Sequence, residues 1–170
     1  MISYQTEKGL QNLRNELQQL ELHDRKRIAL EIDEARQKGD LSENAEYHAA
    51  KEAQAQLELK IAKLKETINN ARLLDLATID VDHVSILATV TLYHKKLKKE
   101  VVYTIVPHTE ANLSEAKISV ESPIAKGLLG KKVDQEVSIQ VPSGLIEVKI
   151  LNISYPDEVM AFHQKRQKIS

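Results

Sequence analysis

Cysteine is missing from this chain of 170 residues. That removes disulfides, thiol nucleophiles, iron–sulfur clusters and cysteine-held zinc together, and it fits a reducing compartment. Tryptophan is missing too, and with one phenylalanine the aromatics come to 4%. Platforms on which single-stranded bases stack are therefore scarce. No sign of charge dominates: 24 Lys+Arg stand against 25 Asp+Glu, a net charge of −1. A protein that grips nucleic acid unaided carries a basic excess, because phosphate contacts dominate its affinity. No apolar run reaches the roughly 18 residues that span a bilayer. The opening residues, MISYQTEKG, hold no apolar signal core. These absences predict a soluble, cytoplasmic protein with no membrane partner. Its size suits one domain or two small ones.

Valine and proline are absent from residues 1–74. Every valine lies between Val81 and Val159, and all four prolines (Pro107, Pro123, Pro142, Pro156) follow residue 100. The early part is rich instead in Leu, Ala, Glu, Gln, Lys and Arg, which are strong helix formers. Leu10, Leu13, Leu17 and Leu20 step by helical intervals. The stripe resumes at Ile28, Ile32 and Ala35 after an eight-residue step, so its register shifts near Leu20–Ile28. A second stripe runs Ala49, Ala53, Leu57, Ile61, Leu64, Ile68 and Ala71, with heptad spacing from Leu57 onward. Between them, Gly39 is placed to end one helix and Asp40 to cap the next. A short loop between long helices makes them antiparallel neighbours. Arms of about 30 residues would reach roughly 45–50 Å at ~1.5 Å per residue.

The second half reads as a small β-rich domain with one helix. Strands are expected at Ile86–His94 and Glu100–Pro107 around a lysine-rich turn, and at Ala116–Val120, Glu136–Val141 and Leu145–Ile153. The last two flank Pro142-Ser143-Gly144. Ser122 as cap and Pro123 at the first helical position start a helix to about Leu129, which Gly130 stops. The overall expectation is an α+β chain: residues 1–75 an antiparallel coiled-coil hairpin with its acidic tip near 39–46, residues 76–155 the β-rich domain. Residues 156–170 form either a mobile tail or a short added helix.

Few residues carry chemistry. His23, His48, His83, His94, His108 and His163 include no pair at the spacing of a helical zinc site, and each reads as a solvated side chain. No nucleophilic triad, phosphate loop or dinucleotide fingerprint is present. Asp40 and Glu43 remain. As Asp-x-x-Glu ahead of a helix they form a capping box, with Asp40 accepting from the Glu43 amide. Alternatively, they offer oxygen ligands to Mg²⁺, a hard cation. Two carboxylates are too few for a dedicated site, but they could complete one that another macromolecule mostly builds.

The run from Ala35 to Glu52, ARQKGDLSENAEYHAAKE, closely resembles the tip signature of the Gre family of bacterial transcript-cleavage factors, in its GreA-like form. Ile118 to Lys131, ISVESPIAKGLLGK, resembles the second family signature. The likeness extends over about residues 2–155. Lys26 stands where the family often has proline, and the chain beyond Tyr155 is longer than usual. The resemblance implies a coiled coil followed by a domain similar to the FKBP fold, without prolyl-isomerase activity. It implies a monomer that binds bacterial RNA polymerase beside its secondary channel. There the nascent RNA 3′ end of a backtracked complex lies. Asp40 and Glu43 would be the catalytic acids, holding Mg²⁺ only in the polymerase complex, with no cofactor bound alone and no enzymatic activity alone. Ser122 and Pro123 match the docking segment. Arg36, Lys38, Tyr47 and Lys51 are candidate RNA or channel contacts, though a solvated face or packing at the turn accounts for them equally. The alternative within the family is a channel-occupying regulator that does not stimulate cleavage. From the β domain alone, an isomerase or chaperone is a third reading, disfavoured by the scarcity of aromatics.

Overall fold

The computed structural model describes the backbone of residues 2–169 and the side chains of residues 2–164. The chain divides into two compact units, Met1–Leu73 and Leu74–Ser170.

The first unit is a helical hairpin. Thr6 caps its first helix, its hydroxyl accepting from the Gly9 amide at 2.9 Å. Helix α1 (Glu7–Gln19) runs through a π-turn at Leu20–Asp24 into α2 (Arg25–Gln37) without a break. The return helix is α3 (Ala45–Asn69). The π-turn sits where the sequence steps eight residues instead of seven. Its wider turn, closed by the Arg25 amide on the Leu20 carbonyl, absorbs the additional residue. Leu20 and Ile28 are therefore both buried in one seam, with Ile32, Leu57, Ile61 and Leu64. Ion pairs cross beside it: Arg25 to Glu58 at 2.9 Å, Lys65 to Glu21 at 2.7 Å and Lys60 to Glu16 at 3.5 Å. All are solvated and screened, so each adds little stability, and their use is to favour this register.

Two details of the second stripe depart from expectation. Ala50, not Ala49, is buried, because α3 starts at Ala45 and sets the phase of its first turns from there. Ala71 lies beyond the helix, in strand β2 (Ala71–Leu73), which pairs in parallel with β1 (Ser3–Gln5). This pair closes the base of the hairpin. Three-residue strands carry no alternation to read, and Gln5, fully buried, is a polar residue in an interior position.

The second unit is built on a five-stranded sheet ordered β5-β4-β3-β7-β6. The strands are β3 (Thr89–His94), β4 (Lys99–Val106), β5 (Lys117–Ser119), β6 (Glu136–Val141) and β7 (Gly144–Ser154). All neighbours are antiparallel except β4 and β5. Strand β3 starts at Thr89 instead of Ile86. Leu87 adopts a left-handed φ of 73°, and the Ala88 amide bonds Ser85 in a turn. Ile86 and Leu87 are apolar because they pack with Ile79 and Val159, not because they extend a strand. Helix α4 (Pro123–Leu128) lays Ala125 and Leu128, both fully buried, among Val90, Leu92, Ile105, Ile139 and Ile150. Residues Asp157–Ile169 form α5, so the segment after Pro156 is helical. Its amides Val159 and Met160 bond the Pro156 carbonyl, acidic Asp157 and Glu158 suit its first turn, and Val159 is fully buried. Ser170 lies outside the described residues. His83 is not simply solvated: its Nδ1 lies 2.6 Å from the Asp80 carboxylate.

Close packing makes α4 sensitive to a single methyl. A Cβ at Gly127 would lie 2.8 Å from Ile139 Cγ1, in the core of the sheet. Gly127→Ala should therefore lower stability by about 1–3 kcal/mol. In urea unfolding the midpoint should fall with an unchanged slope. A midpoint equal to wild type would show that α4 does not press on β6 in solution.

Candidate functional site

The turn between α2 and α3 is held by hydrogen bonds, not by a core. Lys38 ends α2, its amide bonding Ala35 O at 3.1 Å. Gly39 follows at φ 140°, in the region that favours glycine. Asp40 Oδ1 then accepts from both the amide and the hydroxyl of Ser42, each at 3.0 Å. This is an Asx-turn. It corrects the capping expectation, because Asp40 does not reach the Glu43 amide and does not cap α3. Asn44 does, its Oδ1 accepting from the Tyr47 amide at 3.0 Å. The helix starts four residues later than the Asp-x-x-Glu reading placed it. The overlooked signal was in plain view: Asn44 is itself a preferred cap type, directly before Ala45.

Freed from capping, Asp40 and Glu43 line one shallow concavity with Lys38, Gly39, Asn44, Ala45 and Glu46. The donated hydrogen bonds of Ser42, backbone first and hydroxyl second, hold the Asp40 carboxyl below its ordinary pKa. Glu46 is engaged by Lys38 at 2.8 Å. Asp40 Oδ2 and the whole Glu43 carboxylate have no hydrogen-bond or ion-pair partner among the described residues. No group of three or more His, Asp or Glu suited to a metal ion occurs among those residues. Exposed carboxylate oxygens are hard donors of the type Mg²⁺ takes, and two carboxylates do not fill its coordination shell.

The basic and aromatic candidates are placed less uniformly. Arg36 lies over the Tyr47 ring at 5.8 Å, and Tyr47 meets His48 edge-on at 5.7 Å. Lys38 is paired as above. Lys51 stands a turn further along α3, bonded to Gln54 at 2.9 Å. Ser122 and Pro123 belong to the second unit. Ser122 Oγ accepts from the Ala125 amide at 3.2 Å, and Pro123 is exposed at the first position of α4.

A long helical hairpin with exposed carboxylates at its turn, followed by a sheet unit with a buried short helix, makes a two-unit chain of the class that carries acids at the turn of a helical arm. Family comparison is specific. Residues 3–73 match the model described as transcription elongation factor, N-terminal, and residues 79–155 match transcription elongation factor, GreA/GreB, C-term. The chain is 53% identical to a transcription elongation factor GreA of Amoebophilus asiaticus, over 91% of this chain and 98% of that one. It is 48% identical to the GreA of Flavobacterium psychrophilum, over 90% and 97%. A solved GreA factor homolog 1 of Thermus thermophilus matches at 25% identity over 91% and 99%, with a TM-score of 0.38. The chain belongs to the GreA/GreB family of transcription elongation factors.

The Asx-turn sets a pH dependence with a definite sign. A depressed folded pKa means that Asp40 supports the folded turn above its unfolded value, ordinarily 3.8, and that this support is lost as pH falls through the lower folded value. Carboxyl NMR titration should find Asp40 below 3.8. Ser42→Ala, which leaves the backbone donor, should raise it only part of the way back. An unchanged value in that variant would mean the hydroxyl contact does not form in solution.

Proposed function

We propose that this chain binds bacterial RNA polymerase and stimulates the polymerase to cleave its own backtracked transcript. The hairpin enters the secondary channel, and the second unit docks outside. The observation that carries this reading is the pair of exposed carboxylates at the turn of a helical arm, Asp40 with one oxygen unpaired and Glu43 with both. The near-balanced charge agrees with it, since polymerase holds the nucleic acid and this chain supplies acids.

The chain's residues have three tasks. The seam of Ile28, Ile32, Leu57, Ile61 and Leu64 keeps the arm extended. The turn presents two anionic groups to the RNA 3′ end, which is itself repelled by free carboxylates unless cations lie between. Asp40 and Glu43 would each hold Mg²⁺ there by an oxygen, together with acids of the polymerase. When bound, that ion supplies the activation of water and the charge neutralisation that phosphodiester hydrolysis needs. In this reading the chain acts as an activator, and the polymerase supplies the remaining metal ligands and carries out the cleavage. Arg36 and Lys51 are the cations left to meet RNA phosphate or polymerase acids.

Isosteric variants test the acids. Asp40→Asn keeps an acceptor for the Ser42 amide, and Glu43→Gln changes no observed bond. Stability and polymerase binding should stay near wild type, while stimulated cleavage on a stalled, backtracked complex falls by orders of magnitude. Raising Mg²⁺ should restore part of it. Wild-type cleavage in both variants at low Mg²⁺ would remove the acids from the mechanism. A wild-type protein that binds but inhibits would instead establish the non-cleaving regulator.

Docking is tested separately. Pro123→Ala should weaken competition for polymerase without unfolding the sheet, because Pro123 is exposed while Ala125 and Leu128 hold the helix. Unchanged affinity would confine Pro123 to helix geometry.

A further inference from the structure

We propose that Asn44 is the positioning residue of the tip: its one side chain ties the end of α2 to the start of α3 and so sets where Asp40 and Glu43 stand. The amide nitrogen Nδ2 donates to Ala35 O at 2.5 Å, and Oδ1 accepts from the Tyr47 amide at 3.0 Å. Asn44 also lends its own carbonyl to the His48 amide at 3.1 Å. The acceptor on the far side is well anchored. Ala35 is 2% exposed in the hairpin, and its carbonyl also receives the amide of Lys38, the residue that caps the end of α2. Residues 35–44 are thereby closed into a loop by a single side chain that both donates and accepts.

Little else shapes that loop. Residues 38–43 are all exposed, and nothing lies within 4 Å of where a Cβ of Gly39 would be. Its remaining bonds are the local Asx-turn of Asp40, a 3.3 Å contact from His48 Nε2 to Ser42 O, and the solvated Lys38–Glu46 pair. The residue type is specific to the task. Ser and Asp cap helices about as well as Asn, but neither does both jobs. Asp has no donor when ionised and would set a carboxylate against the Ala35 carbonyl. Ser is too short to span the two helix ends while capping. Asparagine carries a donor and an acceptor on one rigid plane.

The inference rests on the metal-completing role of the acids, and its test has one arm that does not. Asn44→Ser and Asn44→Asp both retain the α3 cap and lose the tie. In the free protein, helicity and thermal midpoint should remain near wild type. Backbone order parameters of residues 39–43 should fall from about 0.85 toward 0.6 or below, while Tyr47 stays ordered. In the polymerase assay, affinity should be unchanged. Stimulated cleavage at limiting Mg²⁺ should drop roughly tenfold, the scale of a lost outer-shell support, and recover at high Mg²⁺. Wild-type order in the loop would overturn the tie. A disordered loop with wild-type cleavage would overturn the positioning role. If Asn44→Ser loses helicity, Asn44→Asp, whose charge suits the helix start, decides. If wild-type protein stimulates no cleavage, the functional reading fails, and the order parameters still judge Asn44.

Discussion

The apolar seam of the hairpin is the constraint on which the site depends. Asp40 and Glu43 have no core beneath them, so their position is inherited from the helices that carry the turn. Those helices are locked by Ile28, Ile32, Leu57, Ile61 and Leu64. Each buried Leu or Ile of this kind contributes on the order of 2–5 kcal/mol against truncation to alanine, far more than any of the solvated ion pairs beside it. The π-turn is what lets the seam run past the eight-residue step. Without it, Leu20 and Ile28 would diverge around the helix, and the lower part of the arm would lose its partner.

Division of labour follows from the same constraint. The seam supplies rigidity, and the turn supplies chemistry with almost no buried surface of its own. Electrostatics there are arranged by short-range pairing. Lys38 engages Glu46, Ser42 engages one oxygen of Asp40, and Arg36 rests on Tyr47. Among the turn's carboxylate oxygens, Asp40 Oδ2 and both oxygens of Glu43 remain unpaired. A tip built this way stays charged without burying any charge, so no desolvation cost opposes its exposure.

Much of this was readable from residue spacing, because periodicity reports directly on burial. Leu57, Ile61, Leu64 and the strand at Glu136–Val141 were found by pattern alone, and the eight-residue step marked the π-turn. The failures have local causes. Asp40 and Asn44 are both good capping types four residues apart, and propensity does not rank them; only the start of α3 does. Ile86 and Leu87 look like strand because burial and strand share residue types, while φ at Leu87 is a tertiary matter. The β1–β2 pair spans three residues on each side and leaves no trace in hydrophobicity. At the turn, the residues that carry the acids were legible as types, but the tie through Asn44 needed the two helix ends in three dimensions.

The parallel pairing of Ser3–Gln5 with Ala71–Leu73 has a practical corollary. It brings both ends of the hairpin unit side by side, with Tyr4 opposite Arg72. The unit is thus a closed module joined to the remainder by one covalent crossing, between Leu73 and Leu74. Both strands of the closing pair therefore lie on the same side of that peptide bond, and a cut there separates neither from its partner.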